Sequence, residues 1–144
     1  MAVLLVIAGA FSFGLGIVHL AIPRLFDFPG AIGADGPGTQ PLHRRALGPW
    51  IYQLRRRDVL GLSWVMSNAA SYVLLSIGLV DVAWAVGWRG LPVAGGALWI
   101  AGWWAIRSGS QFVVGRRMVD IAFVAFFGSL AVLHLALGLE WAVL

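Results

Sequence analysis

Two histidines stand inside long apolar runs of this chain: His19 in GIVHLAIPRLFDFPG and His134 in AVLHLALGL. An imidazole can ligate a metal or move a proton near neutral pH, and an ionisable group inside a membrane-length apolar segment points to function by default. Pro23 follows His19 by four positions, lacks an N–H and crowds the carbonyl of His19, so the helix is expected to kink or stop there. Arg24 can snorkel from that point to the membrane surface, and Asp27 lies within reach of it on a further helical turn. With Arg57 and Asn68, these residues make a candidate polar pocket: His19, Arg24, Asp27, Arg57 and Asn68. A second polar stripe runs through Ser63, Ser67 and Ser71, with Asn68 beside it and Trp64 one turn before. Four-spaced residues share a helix face, so the stripe is expected to point inward. There the serines hold neighbouring helices at about 1 kcal/mol or less each, or Asn68 lines a pocket walled by Trp64 and Trp103. Ser67, Ser71 and His134 are the remaining intramembrane polar candidates.

Other chemistries lack their residues. Cysteine is absent, which removes disulfides, thiol redox chemistry and thiolate metal sites. All ten basic residues are arginine, so no lysine can form a Schiff base. No zinc-protease pair, phosphate-cradling glycine loop or serine elbow occurs. No catalytic residue, metal or cofactor is therefore assigned. Asp58 and Asp120 open helices, where carboxylates complement the dipole beside Arg57, Arg116 and Arg117.

The elements that position these groups follow from composition. The 144 residues are 60% hydrophobic and 11% charged, with a mean hydropathy of +0.89. In water, so small a domain would expose far more apolar surface than a folded exterior normally carries; a bilayer accommodates it. A spanning helix needs about 20 apolar residues, and four such stretches occur, at about 2–22, 59–80, 92–112 and 118–141. The first has no basic leader or cleavage site and reads as a retained helix. The fold expected is an all-α integral membrane protein: a single domain over 1–144, built as a four-transmembrane-helix bundle.

Arginine placement orients it. Nine of the ten arginines fall between spans one and two or in the last turns of span three and the connection after it, and only Arg89 falls on the other side. By the positive-inside rule the long first loop is cytoplasmic and both termini are outside. That puts the protein in a bacterial plasma (inner) membrane, in keeping with its Ala, Gly, Arg and Trp content. The high isoelectric point is then a product of topology, and nucleic acid is not an expected partner. Trp84, Trp88 and Trp141 fit an outer aromatic belt, and Trp50 and Tyr52 an inner one. On this topology His19 lies about 25 Å from the outer end of the first span, and His134 about 24 Å from the inner end of the fourth. The two should differ in depth by about 20 Å, too far for one haem or metal to join them.

Residues 23–57 form the long connection. Its first part holds four of the six prolines, so regular structure is not expected there. In LHRRALGPWIYQLRRR, Leu42, Ala46, Leu47, Trp50, Ile51 and Leu54 recur at helical spacing, interrupted by Pro49. Two short turns or a kinked interfacial helix are expected, with Arg44, Arg45, Arg55, Arg56 and Arg57 on anionic lipid headgroups. Small residues four apart, Ala10 and Gly14, Ser12 and Gly16, and Ala97, Ala101 and Ala105, permit close helix packing.

The pattern GxxHLxxPxxF, matched by Gly16, His19, Leu20, Pro23 and Phe26, resembles small four-helix bacterial membrane proteins of the DoxX-like kind. The resemblance covers the end of the first helix and implies a link to respiratory or redox partners. In placement only, the Arg55–Asp58 to Asn68 region is also similar to four-span membrane transferases acting on glutathione or lipid peroxides, without their glutamate. Few buried ionisable groups beside many packing signals lead to the expected function: a non-catalytic accessory or assembly subunit, packing as a homo-oligomer or in a larger membrane complex. The alternative is a membrane-embedded enzyme or carrier for a lipid-like or quinone-like substrate, with a cytoplasmic-side pocket.

Overall fold

A computed structural model describes residues 1–33, 43–47, 50–88, 90, 92–114 and 118–143, giving only the backbone at 43–47, 50–54 and 113–114. Four long helices carry the apolar segments: α1 (Ala2–Leu25), α3 (Arg56–Ala85), α4 (Val93–Val114) and α5 (Met118–Val143). A five-residue helix, α2 (Phe28–Ile32), and two strands, β1 (His43–Leu47) and β2 (Trp50–Leu54), lie in the first connection. Among the described residues three helices, α1, α3 and α5, are long and apolar enough to cross a membrane. The fourth expected span, α4, has 22 residues, about 33 Å at the helical rise. Arg107, Ser108, Ser110 and Gln111 dilute its second half, and it does not join those three on apolar content.

The chain divides into two compact units, Met1–Ala8 with Val80–Leu144, and Gly9–Leu79. In the second unit α1 and α3 approach closely. A side chain at Gly78 would meet the carbonyl oxygen of Gly9 at 2.7 Å, and one at Gly16 would meet Leu75 at 2.9 Å. Glycine thus brings backbone near backbone where lipid supplies no hydrophobic drive between helices. Of the two expected small-residue pairs in α1, Ser12 and Gly16 are buried, whereas Gly14 faces open space. In the first unit α4 and α5 pack together: Gly138 seats Leu98, and Ser108 Oγ donates to the Val124 carbonyl at 2.9 Å. Trp104, fully buried, stacks on Phe127 with ring centroids 5.4 Å apart.

Of the two outcomes expected at Pro23, α1 does not stop there; it carries the proline inside and continues to Leu25. Two expectations for the rest of the first connection change. Within the stretch expected to be irregular, Asp27 caps α2 from a left-handed conformation (φ 43°), and its Oδ1 accepts from Gly30 N at 3.2 Å. The expected interfacial helix is an antiparallel ribbon, pairing His43 with Leu54 through to Leu47 with Trp50. Gly48 and Pro49 fall between the strands, where proline disfavours helix at the residue before it. Trp, Ile and Tyr in the second strand favour extended backbone. Leu42 lies outside the described residues, as do Arg116 and Arg117.

Candidate functional site

The sequence-derived pocket is best followed residue by residue. His19 is buried, at 8% exposure. Its carbonyl, denied an N–H by Pro23, accepts instead from Ser67 Oγ at 2.6 Å. Ser71 Oγ in turn donates to the Ser67 carbonyl at 2.7 Å, within α3. Ser67 alone of the stripe therefore ties α3 to α1, a backbone repair opposite the proline and one of the ways membrane helices re-satisfy a group freed by proline. Ser63 bonds its own helix at Val59 O. Arg24 is exposed and lies over the Trp64 ring at 5.4 Å. Asp27, Arg57 and Asn68 are all exposed. Asp27 is spent on capping α2, and Arg57 sits 3.9 Å from Asp58. Asp58 Oδ2 also accepts from Arg55 N at 2.9 Å, closing the start of α3 as an N3 carboxylate does. Asn68 is on the outward side of α3, not on the buried stripe. Trp103 belongs to the other compact unit. The structure thus joins His19 to Ser67 and Arg24 to Trp64, and leaves the remaining candidates at the surface.

The chemistry that sequence reading missed lies in the first unit. Buried positions on α3 continue past the expected end of its span: Ser71, Leu74, Ile77, Asp81, Trp84. Asp81 is fully buried, as is His134 on α5. His134 Nδ1 is 2.8 Å from the Leu130 carbonyl oxygen, and Nε2 is 3.0 Å from Asp81 Oδ1. A carbonyl can only accept, so Nδ1 carries hydrogen and donates; the tautomer is assigned by this network. The Nε2–Oδ1 contact then needs one more hydrogen, supplied by an imidazolium or by a carboxylic acid. In both forms the pair holds one shared proton and has no net charge. That neutrality is what makes its complete burial affordable among apolar side chains.

Asp81 Oδ2 is also buried and has no hydrogen-bond partner among the described residues. In either form of the pair it is an acceptor. One helical turn beyond, Trp84 on α3 and Leu137 on α5, both buried, border a cavity of about 180 Å³. Leu5, Val93, Glu140 and Trp141 also line it. Trp84 was expected in an interfacial belt; it is 2% exposed, and a side chain at Gly96 would collide with its ring. Trp88 and Trp141 are exposed, as such a belt requires.

Towards the other end of α4 and α5, Gln111 and Asp120 are buried and Arg107 lies over Phe127 at 5.9 Å. The stacked Trp104 and Phe127 lie between that polar group and the Asp81–His134 pair along the helices. Among the described residues, no group of three or more His, Asp or Glu is placed to hold a metal ion.

No family model matches this chain, and neither the curated proteins nor the solved structures include a significant match.

Proposed function

We propose that this chain is a small multi-pass protein of a bacterial plasma membrane, with α1, α3, α4 and α5 all spanning and both termini outside. In this reading it is a non-catalytic accessory or assembly subunit that packs against its own copies or a larger membrane complex. The observation that carries it is the division of every long helix into two faces. The inward face holds small or interlocked residues such as Gly16, Gly78, Ala97 and Trp104. The outward face is rich in exposed large apolar side chains, among them Ile7, Val65, Tyr72, Ile106 and Val132. Such a surface suits lipid or another apolar helix. Arg24 over Trp64, with Arg55 and Arg57 exposed nearby in sequence to α3's start, supports anionic headgroups as a further partner. Resemblance to DoxX-like proteins at the end of α1 is compatible with an accessory role.

Purification from native membranes in mild detergent, followed by mass identification of co-purifying proteins and lipids, tests this reading. A stoichiometric protein partner or a defined oligomer is expected. A monodisperse monomer with no protein partner would count against it. A second reading, a membrane-embedded enzyme or carrier for a lipid-like or quinone-like substrate, draws its support from the buried Asp81–His134 pair, since ionisable groups at such positions mark substrate or proton sites more often than mere packing.

A further inference from the structure

Building on the self-packing reading above, we propose that α3 pairs side by side with α3 of a second copy of this chain, through the face that carries Asn68. The two Asn68 amides then hydrogen-bond each other across a two-fold axis.

Depth sets the problem. α3 begins at Arg56, so Asn68 stands about 18 Å along it at the helical rise, near the middle of a hydrocarbon core about 30 Å thick. Its side chain is exposed and has no hydrogen-bond partner among the described residues. Water is not at hand at that depth, and an amide facing acyl chains goes unsatisfied. The serines of α3 differ, for each donates to a carbonyl of this chain: Ser63 to Val59, Ser67 to His19, Ser71 to Ser67 and Ser76 to Tyr72. The Asn68 amide has to be met from outside the chain.

The surrounding face fits a helix. Gly61, Val65, Asn68 and Tyr72 follow one another at intervals of four, three and four, all exposed, and Leu79 continues the line. That spacing keeps one seam toward a partner helix crossed at about +20°. A Cβ at Gly61 would meet nothing within 4 Å, so a neighbouring backbone can come close there. Leu75, between Tyr72 and Leu79 on the seam, is half-buried and packs at Gly16 of α1; the contact therefore concentrates between 61 and 72. Complementarity selects the occupant. An acyl chain offers no hydrogen bond, whereas a second asparagine both donates and accepts. Copies of one chain insert in one orientation, so in a parallel pair the amides arrive at equal depth and an isologous contact satisfies both. A single asparagine on a helix seam fixes register in this way. A different membrane protein would need a polar group at that same level.

The test uses the full chain in phosphatidylethanolamine–phosphatidylglycerol liposomes, each crosslinking variant carrying one cysteine, the only thiol present. Under mild oxidation Val65→Cys should give a disulfide-linked dimer. Met66→Cys, exposed but turned about 100° from Val65, and Ile106→Cys on α4 should not. Energy transfer between copies labelled at a C-terminal tag then measures the affinity. Asn68→Leu should raise the dimer dissociation constant roughly five- to thirtyfold, the scale of an interhelical polar bond in model helices. Asn68→Gln, which keeps donor and acceptor, should pair nearly as wild type. Because Asn68 bonds nothing in its own chain, both variants should fold, and elution and circular dichroism check this first. A dimer linked at Ile106 or Met66 in place of Val65, or one unmoved by Asn68→Leu, would overturn the pairing and leave the accessory-subunit reading standing. Linkage of Val65→Cys to a different protein in native membranes would do the same. A chain that stays monomeric in liposomes also overturns the pairing; if it brings down no protein from native membranes either, the accessory-subunit reading falls with it.

Discussion

At the scale of single residues, two polar contacts inside apolar helices have different energetic characters. The Ser67 hydroxyl answers a vacancy in the hydrogen bonding of α1 that Pro23 creates. Ser67→Ala should lower stability by about 1 kcal/mol. Pro23→Ala restores an N–H to the His19 carbonyl, so Ser67→Ala should cost less in that background; thermal unfolding of the four proteins in detergent closes the cycle. Additive costs would break the link between the serine and the proline. The Asp81–His134 pair is the reverse case, because removing one partner strands the other. His134→Ala should destabilise by about 3–5 kcal/mol, the cost of an orphaned buried charge. Asp81→Asn should cost far less, since an amide can still donate to Nε2. Comparable losses in the two variants, by the same unfolding measurement, would contradict the shared-proton assignment. His134 was visible in the sequence as an intramembrane imidazole, but Asp81 was not. A hydropathy count ends the second span at Val80, just where the charged residue begins. The spacing from Ser71 through Leu74, Ile77 and Asp81 to Trp84 was the available signal, and following it would have moved the acid inside the helix.

At the scale of elements, the four long helices were legible, and their ends fell within a few residues of expectation except on α3, which starts at Arg56 and ends at Ala85. Long apolar runs leave little choice of structure, because backbone groups in lipid must be satisfied internally. The segment around Gly48–Pro49 was illegible for the opposite reason. Its apolar positions fit a helical period nearly as well as a strand pairing, and periodicity alone does not separate the two over so short a run. Which small residues make helix contacts also needed the structure. Gly14 and Gly78 look alike in sequence, yet an added Cβ meets nothing within 4 Å at Gly14 and meets Gly9 O and Phe13 at 2.7–2.8 Å at Gly78. Gly14→Ala should therefore be neutral or stabilising by up to about 1 kcal/mol. Gly78→Val should force α1 and α3 apart and destabilise by about 1–3 kcal/mol. Steric-trap or thermal unfolding checks both; equal effects would remove Gly78 from the contact.

At the scale of the whole molecule, the absence of cysteine makes topology directly measurable, since each introduced thiol is the only one in the chain. A cysteine at Gly90 should react with an impermeant reagent from outside intact cells. One placed at 34–42 should react only after the membrane is opened, as the proposed orientation requires. Labelling on the opposite sides would invert the orientation, and labelling of both from outside would remove one span. Assembly adds a matter of timing. Asp81 and His134 are 53 residues apart, so at about 5–20 residues per second the ribosome delivers the acid some 3–10 s before the imidazole. Through that interval α3 must enter the bilayer with its carboxyl group unaccompanied, and the cheapest way in is as the protonated acid. On the proposed topology, the shared proton of the finished pair would then be one the aspartate carried in during synthesis, with His134 arriving last to share it.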